Sequence, residues 1–280
     1  EDYAWLGEAL IALYDVTGNM LWLDRAREIT DGMIRQFHDV NSGGFYMSNN
    51  EALLAGMGRG KDIDDGAIPS GNSVALRLLA QLATRVLPHI SSGLEENGGA
   101  INYGDLADET MATFAAKVED SPLNYSWFLA ASEERIKGEA GPVQYAGQGT
   151  VQVKISAQPK SDKDSDNVWE LSVTLNIADG WHINSIEPFQ DYLVATNLRM
   201  PAQAGWVLAE VNYPPSVVRN LGFSREPLSL YEGKVSITAA LTQKGIIPLH
   251  IPISLKVQSC SDQVCLAPEE LSFSISTASE

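Results

Sequence analysis

Two cysteines, four histidines and no apolar run of about 18 residues: what is scarce in these 280 residues narrows the reading first. Two cysteines are too few for a disulfide-dense scaffold. The histidines (His38, His89, His182, His250) show no ligand spacing with the cysteines, so neither a metal nor any other cofactor is expected. Without a long apolar run, this piece inserts no helix into a membrane. Basic residues are scarce too, 19 Lys+Arg against 36 Asp+Glu, for a net charge of -17. That balance argues against nucleic acid or an anionic lipid surface as partner. The acid is concentrated in residues 1–144, which carry 22 acidic and 10 basic side chains, and reads as a solvated surface. An initiator methionine is also missing. The chain opens inside a helical pattern, EDYAWLGEALIALYDVTG, and is expected to be the C-terminal piece of a longer protein, its targeting signal upstream.

At 44% hydrophobic and 20% charged residues, the chain can fill two ordinary cores. Residues 2–15 place Tyr3, Leu6, Leu10 and Leu13 on one helical face, and Thr17-Gly18-Asn19 stops that helix. A second helix over about 20–37 completes an αα-hairpin. DVNSGGFYMS reads as a loop with an aromatic tip and a short β excursion. Further helices are expected over about 70–86, 102–118 and 122–136, the last with Ser121 as N-cap and Pro122 in its first turn. The Gly-rich stretch 138–149 reads as a linker between domains 1–137 and 150–280. From Thr150 the period switches to two, and seven or so short strands argue for an antiparallel β-sandwich. The charged insert PKSDKDSDN is expected to be a solvated loop.

Cys260 and Cys265 lie between two alternating segments, a strand, four-residue connection, strand pattern that reads as a hairpin. Residues facing each other across such a pair have Cα atoms about 4.5–5.5 Å apart, which suits a disulfide. Spacing alone leaves three readings open: a structural staple, a redox-exchanging pair, or two reduced thiols. A ring this small stabilises by only about 2 kcal/mol in the chain-entropy picture, which does not exclude a staple. No helix N-terminus is expected beside the pair, and Asp262, Glu269 and Glu270 are its near neighbours in sequence. Negative charge disfavours a thiolate, so the pair should react when a partner brings the activated thiol.

DGWHIN, YP, YEGKVSI and SCSDQVCLAPEE together resemble the N-terminal periplasmic domain of the thiol:disulfide interchange protein DsbD, over about residues 145–278. The resemblance implies an immunoglobulin-like sandwich, an extracytoplasmic location and an exchanging pair. That pair would relay electrons between thioredoxin-like partners, as a thiol-disulfide oxidoreductase does. It also implies Cys265 as the sulfur that forms a mixed disulfide and Cys260 as the resolving one. The family often places aromatic hydroxyls near the cysteines where this chain has His182 and Asn184. His182 is a candidate proton donor or acceptor, or else a half-exposed strand residue. Phe223, in NLGFSREP, is the candidate shield over the disulfide, or a core side chain.

DYAWLGEALIALYDVTGNMLWLDRA, GGFYMS and DGAIPSGNSVALRLLAQLA resemble thioredoxin-domain proteins related to spermatogenesis-associated protein 20. This implies that 1–137 are the last hairpins of an (α/α)6 six-hairpin toroid, exposing apolar faces meant for absent neighbours. The redox partner would then be a thioredoxin-like protein, or a thioredoxin domain earlier in the same chain. Six-hairpin toroids also host carbohydrate enzymes. Asp64, Asp65 and Asn72, with Trp5, Trp22 and Tyr46 as stacking platforms, are the candidates for a carbohydrate site. The plain alternative is that Asp65 and Ser70 organise a loop and cap a helix. A β domain with an inert disulfide, serving only as an interaction module, is the third reading.

Overall fold

The computed structural model describes residues 1–49, 58–89, 100–139, 141–160, 168–201, 205–243 and 250–276. The chain divides into two compact units, Glu1–Gly138 and Glu139–Glu280. The first is helical and the second an antiparallel β-sandwich.

The helical unit holds, among the described residues, α1 (Asp2–Thr17), α2 (Met20–Phe37), α3 (Gly71–Arg85), α4 (Tyr103–Asp120) and α5 (Ser126–Lys137). Gly18 ends α1 in the left-handed region at φ 66°, its N–H donating to the Tyr14 carbonyl, and Asn19 caps α2 through the Leu21 N–H. This is the expected hairpin. Its buried face differs, however. Ala4, Gly7, Ile11 and Tyr14 of α1 are buried, while Leu6 and Leu13 are exposed. The reason is close approach: a Cβ on Gly7 would stand 2.5 Å from Leu78 Cδ2, so the small residues of α1 receive α3. Apolar residues run all round α1, and periodicity alone could not select the face.

Ser70 caps α3 as expected, its Oγ accepting from the Ser73 N–H at 3.1 Å. Twelve of the fifteen residues of α3 are buried, because α1, α4 and α5 all pack against it. The helix expected over 122–136 is split: Pro122–Asn124 forms a 3-10 turn before α5 begins. Ser121 makes no side-chain cap there. Tyr125, buried with extended φ, interrupts the run. The aromatic-tip loop makes the expected β excursion, a bridge between His38 and Phe45.

The β unit holds, among the described residues, twelve strands: β1 (Val143–Ala146), β2 (Val151–Pro159), β3 (Val168–Ile177), β4 (Trp181–Asn184), β5 (Asn197–Arg199), β6 (Trp206–Asn212), β7 (Val217–Arg219), β8 (Leu228–Tyr231), β9 (Lys234–Gln243), β10 (His250–Val257), β11 (Ser259–Ser261) and β12 (Glu269–Ser276). β1 lies inside the stretch read as a linker. The flanking glycines hid it, but Tyr145 and Ala146 are buried and Val143–Ala146 pairs with β2. Residues 161–167 of the charged insert lie outside the described residues.

Three sheets form, in the orders β1-β2-β3-β9-β6, β12-β10-β5 and β11-β4-β8-β7. The inward residues of β2, β3 and β9 (Val153, Leu171, Val173, Leu175, Ile237, Leu241) join those of β10 and β12 (Ile251, Ile253, Leu255, Phe273) in one core. Strict alternation along each strand produces this arrangement. Ile183 of β4 and Tyr231 of β8 face the same core from the third sheet. The opposite face of that sheet carries a smaller cluster, Leu193, Leu221, Leu228 and Leu230.

One buried carboxyl makes the helical unit pH-sensitive. Burial pushes Glu8 from 4.5 up to about 7, with Arg77 opposing the rise and Glu134 adding to it. Its Oε2 is 3.6 Å from Arg77, and its Oε1 is buried without a hydrogen-bond partner. The folded protein therefore holds a proton here that the unfolded chain has released. The stability this contributes is complete below about pH 4.5 and is lost as pH rises through about 7. Glu8→Gln should flatten that loss and stabilise the protein at pH 8 by on the order of 1–3 kcal/mol, read by urea denaturation at a series of pH values.

Candidate functional site: the Cys260–Cys265 lip

The sequence predicts a simple hairpin across the cysteines. β10 and β12 do pair, from His250↔Ser276 to Val257↔Glu269. The cysteines, however, are not on that hairpin. Between its strands the chain steps out as β11, which pairs with β4 of a different sheet. Cys260 sits in β11, and Cys265 returns to face it as an isolated antiparallel bridge. The expected pairing of the two residues holds, but on a small excursion from the hairpin.

The bond is closed, with Cα atoms 4.0 Å apart. The backbone accounts for this proximity. Ser261 N–H donates to the Val264 carbonyl and Leu266 N–H to the Ser259 carbonyl, each at 2.8 Å, which brackets the cysteines as a non-hydrogen-bonded pair. Such pairs bring side chains closest. Ser261 Oγ accepts from the N–H groups of Gln263 and Val264 and shapes the intervening turn. Gln258 anchors the return, its Nε2 donating to the Leu266 carbonyl at 3.1 Å.

The two sulfurs are unequal. Cys260 is fully buried, while Cys265 is half-buried at the edge of the Leu193/Leu221/Leu228/Leu230 cluster. Phe223 packs on the same cluster. Its loop abuts the cysteine turn so closely that a Cβ on Gly222 would lie 2.9 Å from the Asp262 carbonyl oxygen. A disulfide with one deep and one rim sulfur can be attacked from outside at the rim sulfur only.

His182 lies directly across from Cys260 in the β4–β11 ladder, so the two side chains share a face. Its Nε2 is 3.5 Å from Glu232 Oε2, and Arg219 holds Glu232 through both Nε and Nη2. Its Nδ1 is buried and has no hydrogen-bond partner. Asn184 shares that face, as expected, and is fully buried: its Nδ2 donates to the Val194 carbonyl and to Gln258 Oε1, while its Oδ1 has no hydrogen-bond partner. That ties the 193–196 segment to the anchor of the cysteine turn. Of the nearby acids, Asp262 and Glu270 are exposed. Glu269 is half-buried and accepts from the Gly147 N–H at 2.8 Å; burial raises its pKa and that bond opposes the rise.

Sequence reasoning missed Glu232, Arg219, Gln258 and Gly222. Tyr231-Glu232-Gly233 signalled a turn, and nothing local indicated that its acid meets a histidine about fifty residues earlier.

The candidates in the helical unit are not gathered into an open site. Asp65 spends Oδ1 on the Ser70 N–H and Oδ2 on the Trp127 and Phe128 N–H groups. Asn72, fully buried, bonds the Phe45 N–H and the carbonyls of Phe45 and Asp62. Asp64 is exposed and paired with Lys117, whose ammonium holds its carboxyl below the usual range. Arg59 covers the Tyr46 ring at 4.0 Å, and Trp5 packs beside Trp127. Trp22 is half-buried in α2. Loop closure and helix capping are what these polar atoms do here.

Phe223→Ala and Gly222→Ala should each speed reduction of the disulfide by dithiothreitol severalfold, the first by removing cover and the second by forcing the loop off the turn. A rate unchanged in Phe223→Ala would remove the shield role.

Comparison with known proteins follows the division into units. Residues 145–277 match the family model described as thiol:disulfide interchange protein DsbD, N-terminal. In the other direction, spermatogenesis-associated protein 20 of Homo sapiens is 40% identical over 83 residues, 29% of this chain and 10% of that protein. Its Mus musculus counterpart is 37% identical over 82 residues, with the same coverage. The chain thus spans about a tenth of the length of these relatives. Among solved structures, the N-terminal periplasmic domain of ScsB from Proteus mirabilis is similar at 15% identity and TM-score 0.37, over 48% of this chain and 49% of that one. The Neisseria meningitidis DsbD N-terminal domain in the reduced form is similar at 18% identity and TM-score 0.28, over 41% and 81%. The β unit of this chain matches the family of DsbD N-terminal domains, and its N-terminal part matches spermatogenesis-associated protein 20.

Proposed function

We propose that the β unit is a thiol:disulfide interchange module that relays electrons between thioredoxin-like partners through Cys260 and Cys265. The observation that carries this reading is the asymmetry of the closed pair: Cys260 sealed, Cys265 at a rim beside Phe223. A partner thiolate attacks Cys265 Sγ, the Sγ–Sγ bond breaks, and Cys260 leaves as the thiolate. The partner's second thiol then attacks its own sulfur in the mixed disulfide and releases Cys265 reduced. Two electrons have passed to the pair, and the reverse sequence passes them on. The match of residues 145–277 to the DsbD N-terminal family model supports the same chemistry. The match to the DsbD N-terminal family model is also what supports the proposed location, which is extracytoplasmic.

The helical unit, in the same proposal, is a tail of a six-hairpin toroid. The hairpin of α1 and α2 supports this, as do the exposed Leu6, Leu13, Leu129 and Ile136.

The test uses single-cysteine variants against a thioredoxin whose resolving cysteine is removed and whose remaining thiol is activated as a mixed disulfide. Cys260→Ser, which leaves the rim thiol, should form a stable mixed disulfide. Cys265→Ser, which leaves the sealed one, should form at least tenfold less. No adduct with either, together with a reduction potential below about -300 mV, would make the bond structural and end the proposal.

A further inference from the structure

Resting on that exchange reading, we propose that His182 is the group that gives Cys260 its proton and takes it away, and that Glu232 and Arg219 are positioning residues that hold it for that task. Cys260 is the deep sulfur, cut off from water as well as from the partner. When it leaves as a thiolate it needs a proton, and when it attacks it must lose one. Among the described residues no helix N-terminus lies beside it to stabilise the anion, since β11 and β4 are short strands and the turn is tied by Ser261.

The one titratable side chain placed across from it in the ladder is His182. Glu232 faces Nε2, which favours the tautomer with its hydrogen there and leaves a lone pair on Nδ1. That Nδ1 is buried and partnerless while the disulfide is closed. A buried ring nitrogen with nothing to bond is costly unless it is used in another state. The reduced state supplies the use: a thiol on Cys260. Extending the β4–β8 register by one residue sets Glu232 opposite His182, so Cys260, His182 and Glu232 form one row across three strands. Arg219 of β7 fastens the end of the row. The other charges on adjoining segments are Asp179 and Glu187 on either side of β4, Asp262 after β11, Arg225 and Glu226 before β8 and Lys234 at the start of β9, all exposed to water.

The steps balance. In reduction, the Cys260 thiolate released by attack on Cys265 takes the proton of the His182 imidazolium, leaving a thiol and neutral imidazole. In oxidation, Nδ1 removes the Cys260 proton as its sulfur attacks Cys265 Sγ in a mixed disulfide. The partner's thiolate leaves, and the imidazolium passes its proton to solvent.

The experiment takes the full chain, reduced, with oxidised glutathione as the probe. Intact mass follows the glutathione adduct on Cys265 and its loss as Cys260 closes the ring, from about pH 5 to 9. In the parent protein the resolving rate should rise with pH across that range. His182→Gln should form the adduct at the parental rate but resolve it about 10- to 100-fold more slowly, with the histidine limb gone. Glu232→Gln should move the midpoint of that limb down, because it removes the charge that favours imidazolium. Arg219→Gln should move it up, because Glu232 is then less neutralised. A scaffold role alone would not produce shifts of opposite sign. Resolution in His182→Gln at the parental rate and pH profile would overturn the relay while leaving exchange standing. If the parent forms no adduct on Cys265, the exchange reading falls and the relay with it.

Discussion

The arrangement of this β unit depends on a three-residue strand that leaves its own hairpin. β10 and β12 pair along their whole length, yet the segment between them reaches across to β4. That detour costs the hairpin a tight turn. It is held by the backbone bonds that bracket Cys260 and Cys265, by the reach of Gln258 to Leu266, and by the contact of Ser259 Oγ with Thr150 Oγ1 at 2.7 Å. Gly147, at φ 59°, is where that contact is made close: a Cβ there would lie 2.7 Å from Ser259 Cβ. Because of the detour, the pair lies on a sheet face with its own small apolar cluster, apart from the main core.

That small cluster decides the character of the disulfide. A bond sunk in the core would be inert, and one on an open loop would react with any thiol. Cys265 and Phe223 both pack, half-buried, against Leu193, Leu221, Leu228 and Leu230, while Cys260 is fully buried.

Much of this was legible before any coordinates. Apolar period placed the helices, with Thr17-Gly18-Asn19 as the stop of the first and Ser70 as the cap of α3, and alternation placed the long strands. The failures have physical causes. α1 is apolar on every side, so its buried face was set by where Gly7 lets α3 approach. β1 was hidden by the glycines around it. The helix expected from Pro122 broke because Tyr125 is buried and its backbone leaves helical geometry. Asp65 and Asn72 looked like candidates for chemistry by residue type, but their polar atoms close a loop and start a helix.

By itself the chain's order of residues determined the two-unit division, a cysteine pair spaced to close a disulfide and the histidine strand, since each rests on local period or short spacing. Tertiary structure decided which sulfur is sealed and that His182 stands across from Cys260. It also decided that Glu232 and Arg219 stand behind His182. Those relations join residues 37 to 78 positions apart through sheet register. Register is set by how whole strands bury one face against the rest of the fold, which no short window of sequence contains.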